Sequence, residues 1–214
     1  MQMTGAEVMV KCLAEQGVTT VFGYPGGAIL PFYDALREST TIRHILTAHE
    51  QGAAHAADGY ARAGGQVGVC IATSGPGATN LVTGLANAFL DSIPVVAITG
   101  QVPVAMIGRD AFQEVDITGI TMPITKHNFL VKRPEHLAQT IRLAFQLAKT
   151  GRPGPVLVDV PRDVQTALLD YEPGELEPLA KELPEEKQIA AAVAAINASQ
   201  RPVMLVGGGV INAD

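Results

Sequence analysis

Glu50 is the residue in this sequence best placed to do proton chemistry. It follows the apolar run Ile42 to Leu46 through Thr47-Ala48-His49, and the residues behind it are small: Gly52, Ala53, Ala54, Ala56, Ala57, Gly59 and Ala61. A helix with such a surface lies close to whatever faces it. A carboxylate at its mouth loses hydration, which disfavours the charged form and suits the group to share a proton with a ligand nitrogen. An acid at a helix N-terminus also answers the helix dipole with no ligand involved, and Glu50 alone does not decide between the two. Two glycine-rich stretches bear on the choice, Gly23-Tyr24-Pro25-Gly26-Gly27-Ala28 and Ser74-Gly75-Pro76-Gly77-Ala78-Thr79-Asn80. Gly26-Gly27 and Pro76-Gly77 each let backbone approach a ligand, and Asn80 is expected to begin a helix whose amides face it. Tight turns use glycine for local reasons as well, so the argument rests on several such turns converging on one acid.

Other chemistries fail on spacing. Gly23, Gly26 and Gly27 do not make G-x-G-x-x-G, and no GK[ST] follows a glycine loop. His55 lies six residues after His49, where an H-E-x-x-H zinc site needs four, so no metal site is expected from these residues. Ser74 sits in S-G-P-G and not in G-x-S-x-G. A long irregular stretch from Gly100 to about Pro123 carries Phe112 and Gln113, both candidate ligand contacts, because long loops in compact domains usually have a reason to exist. Lys126 and His127, just before a predicted strand, read equally well as a solvated basic pair.

The elements that must position these residues alternate. Thr4-Gly5-Ala6-Glu7 is a capping-box pattern opening a first helix. Strands are predicted at Val18–Phe22, Ile42–Leu46, Val67–Thr73, Val95–Thr99, His127–Val131 and Val156–Val160, with helices between them. Six such strands make an α/β fold, a doubly wound parallel sheet, and ligands of such sheets sit at the carboxyl ends of the strands near the topological switch point. This domain is assigned to residues 1–165. Residues 166–187, rich in proline and acids, read as an exposed linker. Residues 188–214 hold a helix from Gln188 to Ala198, a strand from Pro202 to Val206 and Gly207-Gly208-Gly209, the truncated start of a second α/β domain, so a longer parent protein is expected.

The 214 residues are 47% hydrophobic and 17% charged, with a formal net charge of −6, which suits a folded domain with a sizeable core and gives no footprint for nucleic acid. No apolar run reaches the roughly 18 residues a membrane helix needs, and Glu7 and Lys11 interrupt the N-terminal pattern, so a cytoplasmic protein is expected. Cys12 and Cys70 lack CxxC spacing and read as core thiols.

Taken together, YPGGAILPFYDAL, RHILTAHEQGAAHAADGYAR, TSGPGATNLVTGLANAFLDSIPVVAITGQV, DAFQEVD, ITKHNFLV and TGRPGPVLVDVPRDVQ resemble the large catalytic subunits of acetohydroxyacid synthase, also called acetolactate synthase. H-E-Q and S-G-P-G-x-x-N are similar to the pyrimidine-binding domain of thiamine-diphosphate enzymes in general. The resemblance implies that Glu50 hydrogen-bonds the aminopyrimidine of thiamine diphosphate, that Gly26 and Gly27 approach the reacting centre, that Pro76, Gly77 and Asn80 line the pyrimidine, and that Gln113 faces the cofactor. It implies Phe112 and Lys126 at the substrate channel, and FAD held without redox use by Ser92, Arg152 and Gly208. The implied reaction decarboxylates pyruvate and joins the remainder to pyruvate or 2-ketobutyrate, in branched-chain amino-acid biosynthesis. The implied assembly is a homodimer or tetramer sharing each site between subunits, with a possible regulatory small subunit. Mg²⁺ ligands belong to a diphosphate-binding domain outside this sequence, so the 214 residues alone are expected to be inactive. Val104-Ala105 departs from the basic residues of some relatives. Another thiamine-diphosphate decarboxylase or oxidase, or a non-catalytic assembly module, remains open at this point.

Overall fold

Three strands with no water-facing side, Gly68–Ala72, Val95–Gln101 and Val156–Pro161, set the architecture. The computed structural model describes residues 1–174, 176–177 and 184–211, and the chain divides at Glu177 into two units. In chain order the first unit holds β1 (Gln2–Thr4), α1 (Gly5–Glu15), β2 (Thr20–Gly23), α2 (Leu30–Arg37), β3 (Arg43–Leu46), α3 (Glu50–Gly64), β4 (Gly68–Ala72) and α4 (Pro76–Thr79). It continues with α5 (Val82–Leu90), β5 (Val95–Gln101), α6 (Ile117–Thr121), β6 (His127–Leu130), α7 (Leu137–Lys149), β7 (Val156–Pro161), α8 (Arg162–Thr166) and β8 (Leu168–Asp170). The six strands β2 to β7 form a parallel sheet in the order β3-β2-β4-β5-β7-β6. Every residue of β4, β5 and β7 is buried, which is why these strands are apolar without alternation. The chain moves outward from β2 to β3 and then crosses to the other side of β2, so the switch point lies between β2 and β4.

Helices cover both faces. On one, Met9, Leu13, Phe32, Ile141 and Phe145 of α1, α2 and α7 pack on Val69, Ile71, Ile98 and Val158. On the other, Ala53, Ala54, Ala57 and Leu85 of α3 and α5 pack on Cys70, Ala72 and Ala97. The alanines serve close approach: a Cβ on Gly84 would stand 2.4 Å from the Ala54 Cβ. The predicted capping box forms, with Thr4 Oγ1 accepting from the Glu7 N–H at 3.3 Å and the Glu7 carboxylate accepting from the Thr4 N–H at 2.7 Å. Both cysteines are buried, and burial pushes each thiol up to about 12, so neither is a nucleophile.

Several local expectations differ from what is found. Leu168–Asp170, placed by composition inside an exposed linker, pairs antiparallel with Gln2–Thr4 as a two-stranded sheet. Tyr171 follows it into the core and donates its hydroxyl to Glu15, which also accepts from Arg142 Nε at 3.0 Å. The partner strand lies at the other end of the chain, so local composition carries no sign of it. Residues 175 and 178–183 of the expected linker lie outside the described residues. The helix expected to begin at Asn80 begins at Pro76, because proline suits the first helical position, and Asn80 falls in the break between α4 and α5. The stretch Gly100 to Pro123 is less irregular than predicted: β5 extends through Gln101, α6 is formed, and single 3₁₀ turns occur at Val104–Met106 and Met122–Ile124.

The second unit contains α9 (Glu186–Ala198) and α10 (Gly208–Ile211) among its described residues, all of them exposed. The strand expected at Pro202–Val206 is not formed. A strand needs a neighbour for its N–H and C=O groups, and one short segment beside a helix supplies none.

Candidate active site

Glu50 is the first residue of α3 and stands at the carboxyl edge of the sheet. His49 precedes it in extended backbone and caps the helix, its Nδ1 accepting from the Gln51 N–H at 3.1 Å. With the cap taken by His49, Glu50 is free to turn inward, and only 9% of it is exposed. Asn80, from the break between α4 and α5, donates its Nδ2 to Glu50 Oε2 at 2.9 Å. Oε1 accepts from no donor among the described residues. It faces Gly77, where an added Cβ would stand 3.2 Å away. One carboxyl oxygen is thus fixed by the protein, and the other looks onto a wall with no side chain.

The turn behind it depends on Gly75. Its φ of +58° is a conformation that L side chains rarely adopt, and a Cβ there would lie 2.5 Å from the Gln113 carbonyl oxygen. The turn after β4 and the loop carrying Gln113 therefore touch backbone to backbone. The turn after β2 reaches the same place through Thr73. A Cβ on Gly26 would come 2.5 Å from Thr73 Cγ2, and one on Gly77 would come 2.8 Å from it. Thr73 Oγ1 accepts from the Ala28 N–H at 3.1 Å. From below, the buried Gln165 donates its Nε2 to the Ala28 and Val160 carbonyls at 2.8 and 2.9 Å. Beside Gly27 lies open space.

Gln113 also has a positive φ, +57°, and Phe112 beside it is 87% exposed. The loop around them is tied down by carboxylates. Glu114 accepts from the Ala111 N–H at 2.9 Å and from Gly108, which holds its carboxyl below the usual range. Asp116 caps α6 through the Gly119 N–H at 2.9 Å. Deeper, Asp159 is buried and unpaired by any cation among the described residues. Burial pushes it up to about 7 against hydrogen bonds from Thr99 and Gln101.

The structure thus brings together Gly26, Gly27, Glu50, Pro76, Gly77, Asn80 and Gln113, with the exposed Phe112 adjoining Gln113 in the chain. It does not bring Lys126, Ser92 or Arg152 to them. Lys126 precedes β6, Ser92 precedes β5 and Arg152 precedes β7, so all three stand at the amino edge of the same parallel sheet. Lys126 Nζ donates to the carbonyls of Leu147 and Thr150 at the C-terminus of α7, and burial lowers its affinity for the proton. Arg152 Nε donates to Ser92 Oγ at 2.7 Å. Gly208 lies in the second unit, in open space. Thr73, Gln165, Gln101 and Asp159 were not singled out from the sequence. Each has a partner far away in the chain, Thr73 to Ala28 by 45 residues, Gln101 to Asp159 by 58 and Gln165 to Ala28 by 137, and no local spacing signals such pairs.

Residues 3–120 match the family described as "Thiamine pyrophosphate enzyme, N-terminal TPP binding domain". The chain belongs to the thiamine pyrophosphate enzyme family. The matched span contains both glycine turns, Glu50, Asn80, Ser92, Phe112 and Gln113, and leaves out Lys126, Arg152 and Gly208. Among individual proteins, the chain is 58% identical to the acetolactate synthase large subunit of Corynebacterium glutamicum, over 100% of this chain and 35% of that protein. It is 58% identical to the acetolactate synthase isozyme 1 large subunit of Escherichia coli, over 99% of this chain and 38% of that protein. The chain therefore spans little more than a third of the length of these relatives. Among its described residues no group of three or more His, Cys, Asp or Glu could hold a metal ion, and no helix is long and apolar enough to cross a membrane.

Proposed function

We propose that this chain supplies the acid-bearing half of a thiamine diphosphate site in an acetolactate synthase large subunit. The enzyme would join what remains of pyruvate after loss of carbon dioxide to a second 2-keto acid, pyruvate or 2-ketobutyrate. The observation that carries this reading is the setting of Glu50: buried, anchored through one oxygen by Asn80, with the other oxygen open beside Gly77 at the switch point. That setting fits a flat ring with one basic nitrogen, since one unshared oxygen is offered and no side chain blocks the approach. When bound, thiamine diphosphate supplies an acidic ring carbon that adds to a keto group and takes up the electron pair freed as carbon dioxide leaves.

The geometry supports the following roles for this chain's own residues. Glu50 Oε1 meets the pyrimidine nitrogen and holds or shares a proton there, in a site with little competing water. Asn80 keeps the carboxyl in one orientation. Pro76 and Gly77 form a wall against the ring, and Gly26 and Gly27 bring backbone to the reacting side. Gln113, set against Gly75, and the exposed Phe112 border the same edge. Ser92 and Arg152, joined at the opposite edge, are proposed with Gly208 to touch FAD. Lys126 supports α7, and we assign it no part in the Glu50 half of the site. Magnesium ligands and the diphosphate site would come from elsewhere in the full-length protein, in a dimer or tetramer with each site shared, with or without a regulatory small subunit, in the cytoplasm.

The test is Glu50→Gln in the full-length protein. Acetolactate formation from pyruvate should fall by about 100-fold or more, with subunit assembly by light scattering unchanged. Activity within a few-fold of wild type would remove Glu50 from the chemistry, and loss of assembly would make its role structural. Feeding pyruvate with 2-ketobutyrate should yield acetohydroxybutyrate, where a simple decarboxylase releases aldehyde.

A further inference from the structure

The loop from Val102 to Asp116 touches the Glu50 edge where the Gln113 carbonyl lies against Gly75. Beside the Val104 N–H bond to Asp163, a chain of buried polar groups ties that loop to the sheet. Asp159, Thr99 and Gln101 are 1%, 0% and 4% exposed. Thr99 donates to Asp159 Oδ1 at 2.7 Å, and Gln101 Nε2 donates to Asp159 Oδ2 at 2.9 Å. The same Nε2 donates to the Val115 carbonyl at 3.0 Å, two residues beyond Gln113. Gln101 Oε1 accepts from the Val102 N–H at 2.9 Å, where the loop leaves β5. Both ends of the loop thus hang on one side-chain amide.

That amide has two possible orientations, and a partner that accepts selects one. With an acceptor at position 159, Nε2 points inward and toward Val115 while Oε1 points at Val102. Turned over, Oε1 would face both the Asp159 oxygen and the Val115 carbonyl, three acceptors with no proton between them. A buried polar network of this kind specifies one arrangement when every member is satisfied. Ionised Asp159 offers two accepting oxygens. Protonated, it still offers one to Gln101 while its hydroxyl turns to Thr99, which can accept. This matters because burial pushes Asp159 up to about 7, and the link does not depend on its charge.

We propose that Asp159 is a positioning residue for the Glu50 site. By accepting from Gln101 it fixes the amide that anchors both ends of the loop, and so sets where Gln113 meets the Gly75-Pro76-Gly77 wall. Asp159 itself touches neither Glu50 nor the glycine turns, and it acts only through Gln101. This rests on the reading of the Glu50 edge as a cofactor site.

The experiment uses the full-length protein with Asp159→Leu, Asp159→Asn, Thr99→Val and Glu50→Gln. Two quantities are read: the thiamine diphosphate concentration giving half-maximal activity, and hydrogen exchange of amides from Val102 to Ile117. Asp159→Leu should raise the half-saturating cofactor concentration about 10-fold or more, with kcat at saturation within about 3-fold of wild type, and should speed loop exchange about 10-fold or more. Asp159→Asn keeps an acceptor for Gln101, and Thr99→Val leaves the Gln101 arm untouched. Both should stay within about 3-fold on each measure, whatever they do to melting temperature. If Asp159→Leu does not fold, Gln101→Met removes the same arm at similar length and carries the same expectation. The proposal is overturned if removing the arm leaves both measures unchanged, or if Thr99→Val loosens the loop as much as Asp159→Leu does. Should Glu50→Gln retain full activity, the cofactor reading fails, and loop exchange alone then decides whether Asp159 anchors the loop.

Discussion

The two edges of the sheet are built by opposite means. At the carboxyl edge, geometry is set by what is missing: Gly26, Gly75 and Gly77 exclude side chains, and the groups that remain are short, the buried Thr73, Glu50 and Asp159 and the half-buried Asn80. At the amino edge, long cationic side chains reach across to helix C-termini, Lys126 to Leu147 and Thr150, Arg152 to Ser92 and Leu90. At Gly26, Gly75 and Gly77 there is no slack, because an added Cβ meets backbone or a packed side chain. A surface made by flexible cations can re-form when one contact is lost. Substitutions should therefore cost much at the first edge and little at the second.

The strongest test of the contrast is the buried acid. Asp159 has an ordinary value of 3.8 and is raised to about 7 in the fold. Between those values the folded chain keeps a proton that the unfolded chain has lost, so this group's contribution to stability falls as pH rises from about 4 to about 7 and is level above that. The fall is up to about 1.4 kcal/mol per pH unit and about 4 kcal/mol in all. His44, whose value burial lowers, pulls the other way in part of this window. The comparison of the 214-residue chain with its Asp159→Asn variant removes that common term. Denaturant unfolding at pH 5 and pH 7 should show wild type losing about 2 to 3 kcal/mol more than the variant, and equal slopes would mean that Asp159 is not buried as described.

Gly26→Ala comes next. Its Cβ would lie 2.5 and 2.6 Å from Thr73 Cγ2 and Cβ, and Thr73 cannot swing aside without releasing the Ala28 N–H. Overpacking of this kind should cost about 2 kcal/mol in denaturant unfolding. A cost near zero would show slack at this edge and end the contrast.

The outline of the fold was plain in the sequence because fully covered parallel strands must be apolar throughout. All six strands predicted within residues 1–165 appear, with ends shifted by a residue or two, as with Val67–Thr73 and the observed Gly68–Ala72. The turns around Glu50 were readable for a related reason, since a glycine that excludes a side chain is visible as a letter. What could not be read were pairs made by folding. Asp159 looked like one polar letter in an apolar run, and only the pairing of β5 with β7 sets it beside Thr99. The strand Leu168–Asp170 was hidden in the same way. Asn80 was singled out as a helix start and, by resemblance, as lining the pyrimidine, whereas the structure shows its side chain bonded to Glu50.

At the amino edge, Lys126→Met should cost about 1 kcal/mol. The ammonium and its two hydrogen bonds to the end of α7 are lost, while most of the packing of the stem is kept. Measured in the full-length protein, thiamine diphosphate affinity should not change, since Lys126 and Glu50 stand at opposite edges. A loss of affinity would join what the contrast separates.

The smallest expected effect is the most pointed. Ser92 ends α5 with φ +60°: its own N–H bonds the Phe89 carbonyl at 3.2 Å and the Ile93 N–H bonds the Ala88 carbonyl at 2.8 Å. This is the helix-ending arrangement in which glycine is the usual residue. Ser92→Gly should relieve the backbone by up to about 1 kcal/mol and lose the Arg152 hydrogen bond of similar size, leaving stability within about 0.5 kcal/mol of wild type. A side chain kept at a position that prefers none suggests a use for it. If Ser92 contributes to the proposed flavin contact, the full-length Ser92→Gly protein should bind FAD about 5-fold or more weakly at unchanged melting temperature. Unchanged flavin affinity would leave the hydroxyl with no role beyond Arg152, and the amino edge would then be scaffold alone.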